Sequence, residues 1–272
     1  VPPKINAPFV EKVLVRFIRE EVRKCGCGRV LLGLSGGLDS AVCASLAARA
    51  LGPSGVLGLI MPYGQTFPAD VRDALRLAGA LGIRSEVIDI APQVDAYFAA
   101  YPTASRLLRG NKMARERMSI LYDRSGREKG LVLGTSNKTE LLVGYGTIFG
   151  DMACALNPMG DLYKTQVREL AAHLGIPSAI RRKAPTAGLW PGQTDEGELG
   201  MTYAELDAIL YGIVDLKQGR REVIAAGHKP GRVDRVMRMI RGSEFKRRMP
   251  PIAKLSPRSV GHDFLYPYDW GK

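Results

Sequence analysis

With 272 residues, 46% of them hydrophobic, the chain is long enough to bury one substantial core, and residues 1–272 read as a single domain. A formal charge of +12 favours an anionic partner, but the basic residues are scattered, concentrating only at Arg181-Arg182-Lys183 and Lys246-Arg247-Arg248 without interleaved aromatics, so a nucleic-acid partner is not expected. No apolar run reaches the roughly 18 residues of a membrane span, and Cys25, Cys27, Cys43 and Cys154 form no CxxC pair, which argues against both a zinc site and a disulfide scaffold.

The first residues, Val1-Pro2-Pro3-Lys4, do not follow the plan of a signal peptide, so a cytoplasmic protein with reduced thiols is expected. Short apolar runs at 30–34, 56–61, 87–90 and 131–133 are bounded by Gly, Pro or charge, as strands buried on both faces should be. Helical patterns lie between them. Val42, Leu46, Ala47 and Ala50 precede a Gly52 stop, and Val71, Leu75 and Ala78 mark a helix over 70–81 that ends at Gly82. Val167, Leu170, Ala171 and Leu174 follow the i, i+3, i+4, i+7 rule before Gly175 and Pro177. The alternation predicts an α/β fold, a doubly wound and mostly parallel sheet with helices on both faces. Residues 184–200, rich in Pro, Gly, Thr and acids, read as a long loop of the kind used for lids or binding segments. Residues 250–272 read as an irregular C-terminal arm. His173, His228 and His262 are isolated, which favours structural or solvated roles.

The strongest chemical signal is Gly33-Leu34-Ser35-Gly36-Gly37-Leu38-Asp39-Ser40, between an apolar run and a helix start. Backbone N–H groups at a helix N-terminus form an anion site, and adjacent glycines let the main chain approach phosphate oxygens closely. Ser35 and Ser40 can add hydroxyl donors. Asp39 would be repelled by phosphate unless a cation lies between them, and Mg2+ is the natural bridge. The Walker pattern GxxxxGK[ST] is absent, which argues against γ-phosphoryl transfer.

The string resembles the SGGxDS loop of the PP-loop, or N-type ATP pyrophosphatase, superfamily. Further blocks at 110–118, Gly134-Thr135-Ser136-Asn137-Lys138-Thr139-Glu140, Leu162-Tyr163-Lys164-Thr165-Gln166-Val167, 183–190, Gly192-Gln193-Thr194-Asp195-Glu196 and Lys246-Arg247-Arg248 are similar to those of ammonia-dependent NAD synthetases, in the same order and over nearly the whole chain. The resemblance implies an adenine nucleotide alpha hydrolase-like fold. It implies ATP held by Gly33 to Ser40, Met61, Thr135, Lys164 and Thr186, with Mg2+ on Asp39 and Glu140. It also implies a two-step reaction in which the nicotinate carboxylate of deamido-NAD is adenylated and ammonia then displaces AMP, with Asp151 near the ammonia. A homodimer follows from the family's placement of the dinucleotide at a subunit interface.

Arg115 and Lys246 match acceptor-binding positions, whereas three positions depart from the family pattern: Ile148 replaces a lysine, Ala155 an aspartate and Phe245 a histidine. Hydrogen bonds to charged groups contribute about 1.5–3 kcal/mol each, so the departures open an alternative carboxylate acceptor such as nicotinate mononucleotide. A non-catalytic ATP-binding protein is a third reading, set against the intact Asp39, Glu140 and Lys164. A relationship to RNA-modifying enzymes with the same loop ranks lowest, because Cys25 and Cys27 are spaced wrongly for sulfur transfer.

Overall fold

The computed structural model describes residues 1–65, 67–190, 192–261 and 263–264. In chain order the elements are α1 (Ala7–Lys24), β1 (Val30–Gly33), α2 (Leu38–Leu51), β2 (Val56–Ile60), α3 (Pro68–Leu81), β3 (Arg84–Val87), α4 (Ala91–Phe98), α5 (Arg106–Glu128) and β4 (Leu131–Val132). They continue with α6 (Lys138–Val143), α7 (Lys164–His173), α8 (Ser178–Arg181), α9 (Asp195–Leu199), α10 (Tyr203–Val214), α11 (Arg220–Ala225) and α12 (Pro230–Gly242).

The four strands form a parallel sheet in the order β3-β2-β1-β4. Leu31 pairs with Leu57 on one side and Val132 on the other, and a parallel bridge from Leu133 to Leu156 prolongs the far edge. Because side chains alternate along a strand, neighbouring leucines of β1 enter different cores. Leu32 joins the layer built by α1, α2, α3 and α7, while Leu31 joins Leu57, Leu59, Val94, Phe98 and Met113 under α4 and α5. Helix α2 is buried nearly all round, and its Ala41, Ala44 and Ala47 allow other elements to approach closely. This is the doubly wound arrangement that the alternation predicts.

A third apolar cluster, with Tyr203, Leu206, Ile209, Val233 and Val236, is built chiefly on α10, α11 and α12 and joins α6 to them. It gives α6 and α7 a common support outside the sheet. No helix among the described residues is long and apolar enough to cross a membrane.

Three sequence expectations need correction. The third strand is Arg84–Val87 rather than 87–90. It lies at the sheet edge, where Arg84 and Val87 are exposed, so its apolar content does not reveal it. The apolar residues beyond it continue the pairing irregularly, with the N–H of Ile88 donating to the Ile60 carbonyl and that of Ile90 to the Pro62 carbonyl. The segment 184–200 is not all loop, because Thr194 caps α9 by accepting from the Gly197 N–H at 3.3 Å. The first, second and fourth strands each end one residue before the apolar run does, at Gly33, Ile60 and Val132, and Leu133 makes only the bridge.

The arm over 250–272 is described only to 264, with one bridge between Val260 and Phe264; His262 and residues 265–272 lie outside the described residues. His173, in the last turn of α7, sits 2.7 Å from Glu11, which also pairs with Arg49, so it serves the α1–α2–α7 junction.

Candidate active site

In a doubly wound sheet, ligands bind beyond the carboxyl ends of the strands, where connections leave to opposite sides. Here that place is the end of β1, flanked by β2 and β4. A cleft of about 680 Å³ opens there, lined by Gly33 to Ser35 and Gly37 to Ser40, the ends of β2 and β4, and the segment from Lys183 to Trp190.

The loop is held by its own hydroxyls. Ser35 Oγ accepts from the Gly37 N–H at 3.2 Å and lies 3.1 Å from Ser40 Oγ, which donates to the Gly37 carbonyl at 3.1 Å. No side chain caps the first turn of α2, whose N-cap is Gly37, so its leading N–H groups are available to an anion. Lys183 clasps the loop from outside: its Nζ donates to the Gly36 carbonyl at 3.1 Å while pairing with Asp70 at 2.7 Å and Asp73 at 2.6 Å. Burial opposes the charge on Lys183, but the two aspartates outweigh it and raise its pKa.

Gly36 is required at this turn. Its φ of +76° is left-handed, and a Cβ there would meet the Asp70 carbonyl oxygen at 2.3 Å. Left-handed backbone costs a non-glycine residue about 1–2 kcal/mol before any clash. Gly36→Ala is therefore expected to lower the melting temperature and to weaken ATP binding at least tenfold, read by calorimetry.

Across the cleft, Lys164 opens α7 with its side chain only 3% exposed. A cation at a helix N-terminus opposes the helix dipole, so local propensity does not explain it. Its Nζ contacts Asp39 Oδ2 closely, lies 3.3 Å from Glu140 Oε1 and sits 5.1 Å from the centre of the Tyr203 ring. Burial works against the charge, yet Asp39 and Glu140 raise the lysine above its ordinary value. Glu140 is placed by a capping box. Asn137 Oδ1 accepts the Glu140 N–H at 3.0 Å, Glu140 Oε2 accepts the Asn137 N–H at 3.3 Å, and Asn137 Nδ2 reaches Asp39 Oδ1 at 3.1 Å.

Burial pushes the Glu140 carboxyl up to about 7, with Lys164 opposing and the Asp39 charge adding to the rise. A carboxyl whose pKa is higher folded than unfolded stabilises the protein fully below its unfolded value near 4.5, and that contribution is lost as pH rises through about 7. In magnesium-free buffer the melting temperature of the wild type should fall over this window more steeply than that of Glu140→Gln, which thermal scans at successive pH values would measure.

At the acceptor end, the Thr147 N–H donates to Asp151 Oδ1 at 2.8 Å, and Lys246 Nζ donates to the carbonyls of Gly144 at 2.8 Å and Gly146 at 2.7 Å. Asp151 is exposed to the cleft it lines, and desolvation by the protein atoms crowded around it raises its pKa.

Every residue expected at the nucleotide except Gly36 lines this cleft: Gly33, Leu34, Ser35, Gly37, Leu38, Asp39, Ser40, Met61, Thr135, Lys164 and Thr186, together with Glu140 and Asp151. Gly36 turns its back to it, against Asp70. Of the acceptor-side residues only Lys246 lines it. Arg115 is exposed and donates to the Ile148 carbonyl at 3.4 Å, Ala155 is exposed on the far strand edge, and Phe245 is 58% exposed.

Sequence reasoning did not single out Arg117, Lys183, Tyr145 or Asp195. The first, from α5, donates to the Met61 carbonyl at 2.9 Å. Asp195 accepts from the hydroxyls of Tyr145 at 3.0 Å and Tyr203 at 2.9 Å, tying α9 to α10 and to the chain after α6. Arg117, Lys183 and Asp195 lie inside the motif blocks, but their letters do not reveal these partners.

Fold and site together define an α/β protein with an anion cradle at a helix N-terminus facing a buried lysine and two carboxylates. A family model described as NAD synthase matches residues 10–250. The NH(3)-dependent NAD(+) synthetase of Trichlorobacter lovleyi is 52% identical over 98% of this chain and 98% of its own, and that of Chlorobaculum parvum is 53% identical over 96% and 95%. Among solved structures, NMN synthetase from Francisella tularensis has a TM-score of 0.82 at 34% identity, over 92% of this chain and 99% of its own. NH3-dependent NAD synthetase from Campylobacter jejuni has a TM-score of 0.79 at 34% identity, over 92% and 100%. The chain belongs to the NAD synthase family.

Proposed function

We propose that this chain is an ammonia-dependent NAD synthetase: it adenylates the nicotinate carboxylate of deamido-NAD with ATP and transfers ammonia, giving NAD, AMP and pyrophosphate. The observation that carries the reading is the cradle of Ser35 to Ser40 facing Lys164, Asp39 and Glu140 across one cleft. It suits a pyrophosphate leaving group, on which charge builds as the bond to the α-phosphorus breaks.

In the first step a carboxylate oxygen attacks the α-phosphorus and pyrophosphate departs toward the N-terminus of α2. Lys164 neutralises part of its charge, while Ser35 and Ser40 supply hydroxyl donors. Asp39 and Glu140 fit a magnesium site of the kind completed by substrate phosphates: one or two carboxylates, with phosphate and water oxygens supplying the rest. When bound, the ion would add Lewis-acid stabilisation of the phosphate oxygens. In the second step ammonia attacks the acyl carbon, AMP leaves with the C–O bond electrons, and Asp151 takes the proton released from nitrogen.

The exposed positions of Arg115, Ala155 and Phe245, with Ile148 half-buried beside Arg115, suit an acceptor whose distal half lies between two copies of the chain, and we place the enzyme as a homodimer in the cytoplasm. The Francisella relative, by its description an NMN synthetase, keeps nicotinate mononucleotide as the comparison substrate. At 34% identity, against 52% and 53% for the NAD synthetases, it is the second reading.

Pyrophosphate release with Mg-ATP and ammonium separates the two. Faster turnover with deamido-NAD supports the proposal. Turnover confined to the mononucleotide would replace it.

A further inference from the structure

Helices α6 and α7 present Glu140 and Lys164 to the cleft from their first turns, and one buried carboxylate from a third helix holds both turns. Asp207 of α10 is fully buried. Its Oδ1 accepts the Thr139 hydroxyl at 2.5 Å, and its Oδ2 accepts the Thr165 N–H and the Thr165 hydroxyl, each at 2.8 Å. The Thr139 hydroxyl, having given its proton to Asp207, accepts the backbone N–H of Lys164 at 2.9 Å on a lone pair. Thr139 immediately precedes Glu140, and Thr165 immediately follows Lys164. The chain Asp207–Thr139–Lys164 therefore crosses between the two helix starts that carry the site's cation and one of its carboxylates.

A buried charge is costly to place, and apolar residues of similar volume can join helices as well or better. What apolar packing lacks is direction. Hydrogen bonds in a chain strengthen one another and fix the donor's orientation, which here is the first backbone N–H of the catalytic lysine's own helix. The Lys164 ammonium is held at its far end by Asp39 and Glu140, so its reach depends on where that helix start is pinned.

We infer that Asp207, acting through the Thr139 hydroxyl, is a positioning residue that sets the Lys164 ammonium against the leaving phosphates. This rests on the proposed amidation reaction. It goes beyond it by assigning a role to two residues that do not line the cleft.

The test compares Thr139→Val, which keeps the shape but neither donates nor accepts, with Thr139→Ser, which does both. Assays run well below both melting temperatures should give Thr139→Val a kcat reduced roughly 10- to 100-fold, the scale of a small misplacement of a reacting group. Its KM for ATP should rise by less than kcat falls, because Ser35, Ser40 and the N-terminus of α2 still face the phosphates. Thr139→Ser should restore kcat. Crystal structures of the two variants read the inference without turnover: the Lys164 ammonium should be displaced from Asp39 in Thr139→Val and in place in Thr139→Ser. Equal kcat values for the two variants, or an unmoved lysine in Thr139→Val, would overturn the positioning role. A wild type that releases no pyrophosphate would instead count against the proposed reaction, leaving the structural comparison to judge the inference.

Discussion

Lys164→Met should lower kcat for pyrophosphate release by about 10²–10³-fold, the effect of removing one preorganised donor from a developing anion. The methionine fills similar space, so the loss is of charge rather than volume. Lys164 is also the ammonium that Asp39 and Glu140 share. Without it their mutual repulsion would be relieved by protonating Glu140, whose carboxyl burial already pushes to about 7. The Glu140 pKa in the variant should therefore lie higher still, and the melting temperature should drop more at pH 8, where the proton is costly to retain, than at pH 6. Steady-state kinetics with thermal scans at the two pH values checks both parts. A kcat within fivefold of wild type, a range well short of the loss of one such donor, would remove Lys164 from the chemistry.

Asp151→Asn is the second large effect, and it should divide the reaction. Asparagine can still accept the Thr147 N–H, so the turn that holds it should persist while the base is lost. Positioned general bases contribute roughly 10²–10⁴-fold. Amide formation should fall by that order, yet the first equivalent of pyrophosphate should still appear rapidly, because adenylation does not use this carboxylate. Rapid-quench measurement of pyrophosphate and NAD in a single turnover reads both. In the wild type, desolvation by the surrounding protein atoms raises the Asp151 pKa, so the acid limb of the amidation rate should lie above the ordinary carboxylate value and activity should rise as pH passes through it. Pyrophosphate and NAD formation falling together in the variant would place Asp151 in binding instead.

How far the sequence could be read depended on the span of each interaction. The 33–40 loop was legible because an anion cradle is local: glycines, hydroxyls and a helix start within eight residues. Likewise Asn137 and Glu140 form a capping box three residues apart. The central strands carry continuous apolar runs, but β3 pairs through Arg84, Ser85 and Glu86 at an edge where polar side chains reach water, so the apolar run misplaced it.

Helix α5 was hidden by its polarity. Over Arg106–Glu128 it buries only Gly110, Met113 and Ala114, since one narrow face meets the sheet. Asp207 gave no signal at all, because its partners Thr139 and Thr165 lie 68 and 42 residues away and meet it only once α6, α7 and α10 have packed. The acceptor-side positions were legible only by resemblance. Arg115, Ile148, Ala155 and Phe245 do not line the cleft of the single chain, so neither periodicity nor local motif could group them.

The central claim is that the cradle directs cleavage between the α and β phosphates of ATP and couples it to amide formation. Its most direct test is a product balance from one incubation of wild-type protein with Mg-ATP, deamido-NAD and ¹⁵N-ammonium. The account predicts AMP, pyrophosphate and ¹⁵N-labelled NAD in equal amounts, with none formed when ammonium and acceptor are both left out. ADP and inorganic phosphate as the nucleotide products, or ATP bound and recovered intact with all substrates present, would contradict it.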